Sequence, residues 1–267
     1  MGILRITQQL LLLFIPVSIC QKSCSDSICV PEDYKKDVTP SINKPCTIEA
    51  NFNFIRILKV NDRDSTITLS LELNLKWRDD RLIFSKNITQ SLIKLPPSIQ
   101  NALWIPDIFI FGLHRVNQLE LTQKFVYMYQ ANATDLVFTD AFEIDMFCNM
   151  TFKYFPFDSQ NCDFLITSYS STDTEILFKF NSIDFQINDQ ISHLKYHIVD
   201  IQPVKEFKSE FLEANGSRGN WSITGFSVSL SRKRMKYIVD YFMPSGLLVI
   251  ISWVRNNLSF QHSNFEA

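Results

Sequence analysis

The sequence contains few of the residues on which catalytic and nucleic-acid-binding sites are usually built. Among 267 residues there are 4 histidines and 6 glycines, and none of them belongs to a nucleophile motif, a metal-ligand motif or a phosphate-binding loop. The net charge is −2 and the isoelectric point is near 6.1, whereas nucleic-acid binding needs a basic face. We therefore expect no enzyme, no metal site, no cofactor and no nucleic-acid partner.

The first twenty residues have the pattern of a secretory signal. A lone Arg5 precedes the apolar run Leu10–Ile15, and Ser18 and Cys20 suit cleavage before Gln21. An N-terminal membrane anchor is the alternative interpretation. Residues 1–20 are predicted to be a signal peptide, so the rest of the chain is expected to be exported.

Cysteine is also scarce, and its placement raises a question. Removal of the signal leaves five cysteines, at positions 24, 29, 46, 148 and 162. In an exported chain, cysteines are most often found in disulfides, and an odd number leaves one cysteine without a partner in the chain. Cys148 and Cys162 enclose a short segment around Phe155-Pro156-Phe157-Asp158, which could be a metal site, a structural staple or a signalling element.

Sequons for N-linked glycosylation agree with export. Five matches to Asn-X-Ser/Thr lie in the exported region, at Asn87, Asn132, Asn149, Asn215 and Asn220. A sixth, at Asn257, follows the apolar segment described below and is expected to stay unmodified. The mature chain is therefore predicted to be a glycoprotein.

Period-two hydrophobic alternation predicts an all-β fold for most of the chain. In Thr68–Trp77 leucines and the tryptophan alternate with polar residues, as a strand with one buried face requires. Similar runs are found at Phe52–Val60, Lys124–Gln130, Phe138–Met146, Cys162–Ser168, Ile176–Phe180, Tyr196–Pro203 and Ser222–Leu230. The predicted architecture is a β-sandwich of the immunoglobulin-like kind.

The end of the chain has a different pattern. Tyr237–Val254 is apolar and, at a helical rise of 1.5 Å per residue, would be roughly 27 Å long, which is near the lower limit for a membrane span. Asp240 and Pro244 weaken this interpretation, and a buried core helix is the alternative. The basic residues just before the segment, Arg232 to Lys236, would lie outside the cell, against the positive-inside tendency.

Several motifs occur in an order that is similar to the Cys-loop family of pentameric neurotransmitter-gated channels. They are Trp77-Arg78-Asp79-Asp80-Arg81-Leu82, Leu95-Pro96-Pro97, Trp104-Ile105-Pro106-Asp107, the cysteine pair with Phe-Pro-Phe-Asp between, and Tyr241-Phe242-Met243-Pro244 before the apolar run. The resemblance covers roughly Phe52 to Val254. Thirteen residues between the two cysteines, with Phe-Pro-x-Asp inside, is its most specific mark.

The resemblance implies what the cysteine segment does. Zn²⁺ needs about four nitrogen or sulfur ligands and the segment has no histidine, whereas a disulfide across a loop of this size contributes about 3 kcal/mol. In the family this loop is closed by a disulfide, here Cys148–Cys162, and touches the membrane domain. Phe155 and Phe157 would offer apolar contact, Pro156 stiffness, and Asp158 a charge.

Two further expectations concern pairs of residues. By resemblance, Arg232 takes the place of an arginine that pairs with acids of the Cys-loop and the first hairpin, here Asp158 and either Asp62 or Asp64. For the remaining cysteines, Cys46 is expected to pair with Cys24 or Cys29, and the sequence leaves the choice open.

The resemblance also implies a ligand site between neighbouring subunits, walled by aromatic rings. Local alignment places Phe109, Tyr169 and Trp221 on one face, with Trp221 in the hairpin loop near Asn215, and Thr139 on the opposing face. Ring faces of this kind attract ammonium groups. For Phe109 a place in the core is the alternative.

Departures from the family pattern bear on the ligand. Glu72 and Asn74 stand where aromatic and arginine side chains are common, Ala141 where another arginine can stand, and Thr167 where glutamate is common; the hairpin loop has no cysteines. A standard glycine, GABA or glutamate site is therefore not expected. The subunit would bind an amine or an unfamiliar ligand, or none.

These observations give one functional hypothesis and one alternative. Residues 21–236 are predicted to be an extracellular ligand-binding domain, 237–254 a first transmembrane helix and 255–267 a divergent tail. Because Met243–Val254 resembles the first helix of invertebrate anion-channel subunits, we expect a truncated subunit of a homo- or hetero-pentameric, chloride-type channel at the cell membrane. The alternative is a soluble or tethered ligand-binding protein, or a non-conducting accessory subunit.

Overall fold

The computed structural model describes nine stretches of the chain, and everything below concerns these residues. They are 21–24, 28–40, 44–84, 92–118, 125–129, 135–185, 195–212, 216 and 218–263. The predicted signal peptide and the sequons at Asn87, Asn132 and Asn215 lie outside them. Asn149 and Asn220 lie within them, and both side chains are exposed.

The described residues form fourteen strands and a C-terminal helical segment. The strands are β1 (Gln21–Cys24), β2 (Ile28–Pro31), β3 (Cys46–Asn61), β4 (Thr66–Arg78), β5 (Ile83–Phe84), β6 (Leu92–Lys94), β7 (Phe109–Ile110), β8 (Leu113–Gln118), β9 (Phe125–Tyr129), β10 (Asp135–Phe147), β11 (Ser159–Thr167), β12 (Ile176–Phe185), β13 (Tyr196–Leu212) and β14 (Arg218–Arg232). The helices are α1 (Pro97–Gln100), α2 (Arg234–Tyr237) and α3 (Met243–Ser263), with a π-helical turn, Ile238–Phe242, between the last two.

Two sheets pack face to face, and a third, small sheet lies at the N-terminus. The large sheet has the order β12-β3-β4-β10-β9-β6, with β8 also on β10, and the second has the order β13-β14-β11-β7. The small sheet is β1-β2-β5. The pairs are antiparallel except β12 with β3. This confirms the predicted β-sandwich.

The core lies between the large sheet and the second sheet. Along β4 the leucines and Trp77 are buried while the alternate polar residues are half-buried on the opposite face, as the period-two pattern predicts. Phe52 of β3 meets Phe164 of β11 and Phe226 of β14 edge to face, with ring centroids 5.8 and 5.3 Å apart. These contacts join the two sheets.

Gly225 permits the closest approach within the second sheet. It lies on β14 opposite Leu165 of β11, and a Cβ atom at this position would be 1.9 Å from the carbonyl oxygen of Phe164. A backbone oxygen cannot move away as the end of a side chain can. Glycine is therefore required at position 225 for β11 and β14 to pack this closely.

The expected pairing of Cys46 is wrong. Cys46 is a buried free thiol at the start of β3, where its amide donates a hydrogen bond of 2.7 Å to the carbonyl oxygen of Glu175. Burial raises the pKa of this thiol to about 12. Cys29 is disulfide-bonded, and in the β1–β2 ladder it lies opposite Cys24. A tight antiparallel pair brings these two positions into register, whereas β3 carries Cys46 into the core.

The C-terminal segment is helical over more residues than expected. Arg234–Asn257 is long and apolar enough to cross a membrane, and none of it is buried inside the protein, which argues against a core helix. Helix α3 continues past Val254 to Ser263, because that stretch contains no proline or glycine. The π-helical turn precedes Pro244, whose ring would clash with a carbonyl of a regular helical turn.

Candidate functional site

Five aromatic rings form a continuous row at one end of the second sheet, which we call the aromatic cluster. Its members are Tyr169, Phe109, Phe111, Phe211 and Trp221. Ring centroids lie 6.2 Å apart for Tyr169–Phe109, 5.3 Å for Phe109–Phe111, 5.9 Å for Phe111–Phe211 and 5.8 Å for Phe211–Trp221. The structure thus brings together the three aromatic residues that the sequence placed on one face.

The aromatic cluster is open to solvent at one end and buried at the other. Tyr169 is 75% exposed and Phe109 41%, so Phe109 is not a core residue, whereas Trp221 is 8% exposed. Trp221 also lies within β14, opposite Ser209, and not in the hairpin loop where it was expected. The aromatic cluster therefore has an exposed end at Tyr169 and a buried end at Trp221.

Two members of the aromatic cluster were missed by the sequence analysis. Phe111 follows Phe109 by two residues, so period-two alternation alone could have placed it on the same side. Phe211 lies opposite Gly219 on β14, diagonally across from Trp221. Finding Phe211 required the register between β13 and β14.

Asp107 holds the loop that carries Tyr169. One carboxylate oxygen accepts a hydrogen bond from the Ser168 hydroxyl at 2.7 Å, and the other accepts one from the backbone amide of Ser170, also at 2.7 Å. The Ser168 oxygen in turn accepts a hydrogen bond from the amide of Ser171. The residues on both sides of Tyr169 are thus fixed by one side chain, two residues before Phe109.

The chemistry that this arrangement favours is cation recognition. Aromatic faces carry partial negative charge and attract ammonium groups, by about 0.5–2 kcal/mol for each contact. In the part of the chain that the structure describes, no group of three or more histidine, cysteine, aspartate or glutamate side chains is placed to hold a metal ion. The ring faces of the aromatic cluster could therefore contact an organic cation.

Thr139 lies on the other sheet, away from the aromatic cluster. It is half-buried on β10, opposite Asn74 of β4 and Phe125 of β9, on the side of the large sheet that faces away from the core. One chain alone therefore does not bring Thr139 to the rings.

Arg232 is the centre of a buried ionic group at the opposite end of β14, which we call the Arg232 cluster. The guanidinium is bidentate to Asp158, at 2.7 and 2.9 Å, in the loop between Cys148 and Cys162, which we call the Cys-loop. Nη1 is 2.7 Å from Asp62 in the β3–β4 turn. The side chains of Arg232 and Asp158 are 1% and 2% exposed. Of the two acids predicted as alternative partners, Asp62 pairs with Arg232, whereas Asp64 accepts a hydrogen bond from Asn61.

Four aromatic rings surround the Arg232 guanidinium. They belong to Phe152, Phe155, Tyr196 and Tyr237, at 5.6, 5.0, 4.5 and 5.4 Å from the guanidinium carbon to the ring centroid. Arg232 also donates hydrogen bonds to both tyrosine hydroxyls, and Tyr196 donates one of 3.0 Å to Asp62. Tyr237 belongs to α2, and its ring centroid lies 5.0 Å from that of Phe155, so the start of the helical segment contacts the Cys-loop directly.

The charges of the Arg232 cluster stabilise each other against burial. Burial alone would raise the pKa of Asp158, but hydrogen bonds from Arg232 and Gln160 outweigh it, and the pKa is below its usual value. Burial alone would lower the pKa of Arg232, but its hydrogen bonds to Asp158 and Asp62 raise the pKa by more than burial lowers it. Both groups are therefore charged at neutral pH.

The Cys-loop itself is closed and internally braced. Cys148 and Cys162 form a disulfide, as the resemblance implied. Inside the loop, the Gln160 amide exchanges two hydrogen bonds of 2.8 Å with the backbone of Thr151 and donates a third, of 2.7 Å, to Asp158. Phe155 and Phe157 are exposed by 44% and 62% at its tip. The loop therefore presents apolar surface from a rigid base.

Replacing Cys148 and Cys162 together by serine is expected to lower the free energy of unfolding by about 3 kcal/mol, because the unfolded chain regains the entropy of an open loop. Urea unfolding of the full chain measures the change. Cys46→Ala is the matched control, since it removes a thiol that forms no disulfide. Recovery of Cys148 and Cys162 as free thiols after non-reducing digestion of the wild type would contradict the prediction.

Comparison with known proteins gives a consistent result. A sequence profile described as the neurotransmitter-gated ion-channel ligand binding domain matches residues 25–234. This range contains all of the aromatic cluster, and all of the Arg232 cluster except Tyr237.

Individual relatives are distant. The chain is 27% identical over 240 residues to "pH-sensitive chloride channel 2" of Drosophila melanogaster, covering 84% of this chain and 45% of that protein. It is 26% identical over 218 residues to human "5-hydroxytryptamine receptor 3E" (79% and 45%). To "Gamma-aminobutyric acid receptor subunit rho-2" of Rattus norvegicus it is 22% identical over 226 residues (84% and 47%). The chain thus spans less than half the length of these curated relatives.

Proposed function

The chain belongs to the neurotransmitter-gated ion-channel ligand-binding domain family, and from this we propose that it serves as a subunit of an extracellular ligand-gated ion channel. The observation that carries the proposal is that β14 connects the two clusters described above. One end bears the aromatic cluster, and the other bears the Arg232 cluster in contact with the helical segment. A receptor needs both parts, because a ligand site must be connected to the pore.

The proposed site lies where two subunits of a pentamer meet. One subunit contributes the aromatic cluster, and its neighbour contributes the side of the large sheet that carries Thr139. At the positions where an arginine would bind a ligand carboxylate, this side has Asn74 and Ala141. The proposed ligand is therefore a small molecule with an ammonium group, in preference to an amino acid such as glycine or glutamate.

The proposed topology places residues 21–236 outside the cell and residues 237–254 in the plasma membrane. The candidate span supports this arrangement, as do the exposed sequons at Asn149 and Asn220. We assign the channel to the chloride type because Met243–Val254 resembles the first helix of anion-channel subunits and the Drosophila relative is named a chloride channel.

Replacing Trp221 by alanine should weaken ligand action by about 5- to 150-fold, because it removes the inner wall of the aromatic cluster. The test uses residues 21–236 fused to the membrane domain of a related channel, with currents recorded against a panel of amines and amino acids. The half-maximal concentration is compared with that of the unmodified fusion.

Phe207→Ala is the matched control for this experiment. Phe207 lies on β13, the same strand as Phe211, and is 41% exposed. Phe207→Ala should leave the half-maximal concentration within about twofold of that of the unmodified fusion, because Phe207 is not one of the five rings that form the aromatic cluster. Activation by an amino acid, with a dose response that Trp221→Ala leaves unchanged, would refute both the site and the ligand class.

A further inference from the structure

A row of amide and hydroxyl side chains crosses the outer side of the large sheet. The Asn51 side-chain oxygen accepts hydrogen bonds of 2.7 Å from Asn181 and from Ser182 of β12. The Asn51 amide donates a long hydrogen bond, of 3.5 Å, to the backbone oxygen of Asn74 on β4. Thr139 of β10 follows next to Asn74 in the ladder. Asn74 therefore lies between Asn51 and Thr139 in this row.

The orientation of the Asn74 amide is fixed by Glu72. An ionised carboxylate can only accept hydrogen bonds, so the amide nitrogen of Asn74 must face it, and the two atoms are 2.9 Å apart. The amide oxygen consequently points away from Glu72. This oxygen is buried and has no hydrogen-bond partner among the described residues. A buried acceptor without a donor is unfavourable, so a ligand that places an N–H group here would gain a hydrogen bond.

The surroundings of this acceptor favour a positively charged donor. Glu72 supplies a carboxylate that has lone pairs left after its contact with Asn74. The next charged residue along this side of β4 is Lys76, and its ammonium group is held by Asp135 at 3.1 Å and by Glu49 at 3.7 Å. Arg56 of β3 also faces this side, opposite Ser70. Glu72 and Asn74 present acceptor oxygens that suit a donor with N–H groups.

The two halves of the proposed site make different demands on a cation. The rings of the aromatic cluster attract any organic cation, whether or not it has N–H groups. The oxygens of Glu72 and Asn74 gain a hydrogen bond only from a cation that carries N–H donors. The rings alone would favour a quaternary ammonium group, because it is less strongly hydrated than a primary one and costs less to remove from water.

We infer that Glu72 and Asn74 are specificity-determining residues which select ligands with a primary or secondary ammonium group over quaternary ammonium compounds. This inference rests on the proposed function, because only a second copy of the chain can bring its aromatic cluster against Glu72 and Asn74. The ammonium group lies between the rings of one copy and the two oxygens of the next. Its N–H groups donate to the Glu72 carboxylate and to the unpartnered Asn74 oxygen.

The experiment measures binding of two probes to the full chain in lipid nanodiscs by calorimetry. The probes are 2-phenylethylammonium and its N,N,N-trimethyl analogue, which share the ring, the charge and the chain length. The primary ammonium should bind at least about tenfold more tightly, as expected for charged hydrogen bonds that the trimethyl analogue cannot make. Glu72→Gln should reduce this preference, because it removes a charge that attracts both probes and also weakens a hydrogen bond that only the primary ammonium can make.

Asn74→Leu should reduce the preference in the same direction, by about three- to tenfold. The matched control is Glu143→Gln, which removes the same charge from the same side of the sheet, on β10 opposite Ser70, and should leave both affinities unchanged. Thermal unfolding of each variant confirms that it is folded.

The outcomes separate this inference from the proposed function. Equal binding of the two probes to the wild type, or equal weakening of both by Glu72→Gln, would overturn the selection by Glu72 and Asn74 while leaving an ammonium site in place. If neither probe binds the wild type at millimolar concentration, the proposed ligand class fails and the inference fails with it. A preference for the primary ammonium that falls in Glu72→Gln but persists in Glu143→Gln supports both.

Discussion

Replacing Arg232 by methionine should lower the free energy of unfolding by about 3–5 kcal/mol, because Asp158 would keep its charge in a buried place without its partner. Arg232 and Asp158 are both almost fully buried, and Asp62 would lose its ion pair as well. Denaturant unfolding of the full chain in detergent measures the loss.

The pH dependence of unfolding gives a second readout of the same group. The pKa of Asp158 is lowered in the folded state, so its ion pair stabilises the fold above the ordinary aspartate pKa of about 3.9 and loses this contribution as the pH falls through the folded value. Arg232→Met should therefore flatten the acid limb of the wild-type stability curve.

Arg234→Met is the matched control for Arg232. Arg234 is exposed, and its guanidinium carbon lies 5.6 Å from the ring centroid of Phe157, so its removal should cost less than about 1 kcal/mol. A loss for Arg232→Met as small as this would show that the Arg232 cluster does not hold the Cys-loop to the sandwich.

Replacing Gly225 by alanine should destabilise the protein by about 3 kcal/mol or more, because the added methyl group meets a backbone oxygen in a packed sheet. The methyl carbon would be 1.9 Å from the carbonyl oxygen of Phe164, so β11 and β14 would have to separate. The midpoint of thermal unfolding should fall, and the yield of folded chain with it.

Gly246→Ala tests whether the effect is specific to Gly225. Gly246 lies on α3, and nothing comes within 4 Å of a Cβ atom built there. Because alanine favours helix over glycine by about 1 kcal/mol, Gly246→Ala should leave stability unchanged or raise it slightly. Equal losses for the two variants would mean that the close approach of β11 and β14 is not what makes Gly225 necessary.

The sequence predicts most clearly what depends on neighbours along the chain. Alternation in Thr68–Trp77 predicts the buried face of β4, because each strand residue points to the side opposite its neighbour. The order of motifs places Asp158 opposite Arg232, and the ion pair is present. The aromatic residues Phe109, Tyr169 and Trp221 also come together as expected.

What the sequence does not predict depends on register and on shape. Phe211 reaches the aromatic cluster only through the pairing of β13 with β14, whose register is shifted by irregularities at Ile198/Asp200 and Val204/Phe207. The free thiol of Cys46 follows from the position of β3 in the core, which spacing between cysteines does not reveal. The unpartnered oxygen of Asn74 depends on one amide orientation and is equally invisible in the sequence.

Strand β14 has a mechanical property that follows from its place in the second sheet. Trp221 and Arg232 are eleven residues apart on it, which at about 3.3 Å per residue is a distance of about 36 Å. From Gly225 to Ser231 the strand is paired with β11 on one side and with β13 on the other. A strand that is paired along both edges resists bending, so this stretch would transmit a shift along its axis towards Arg232 and the start of the helical segment.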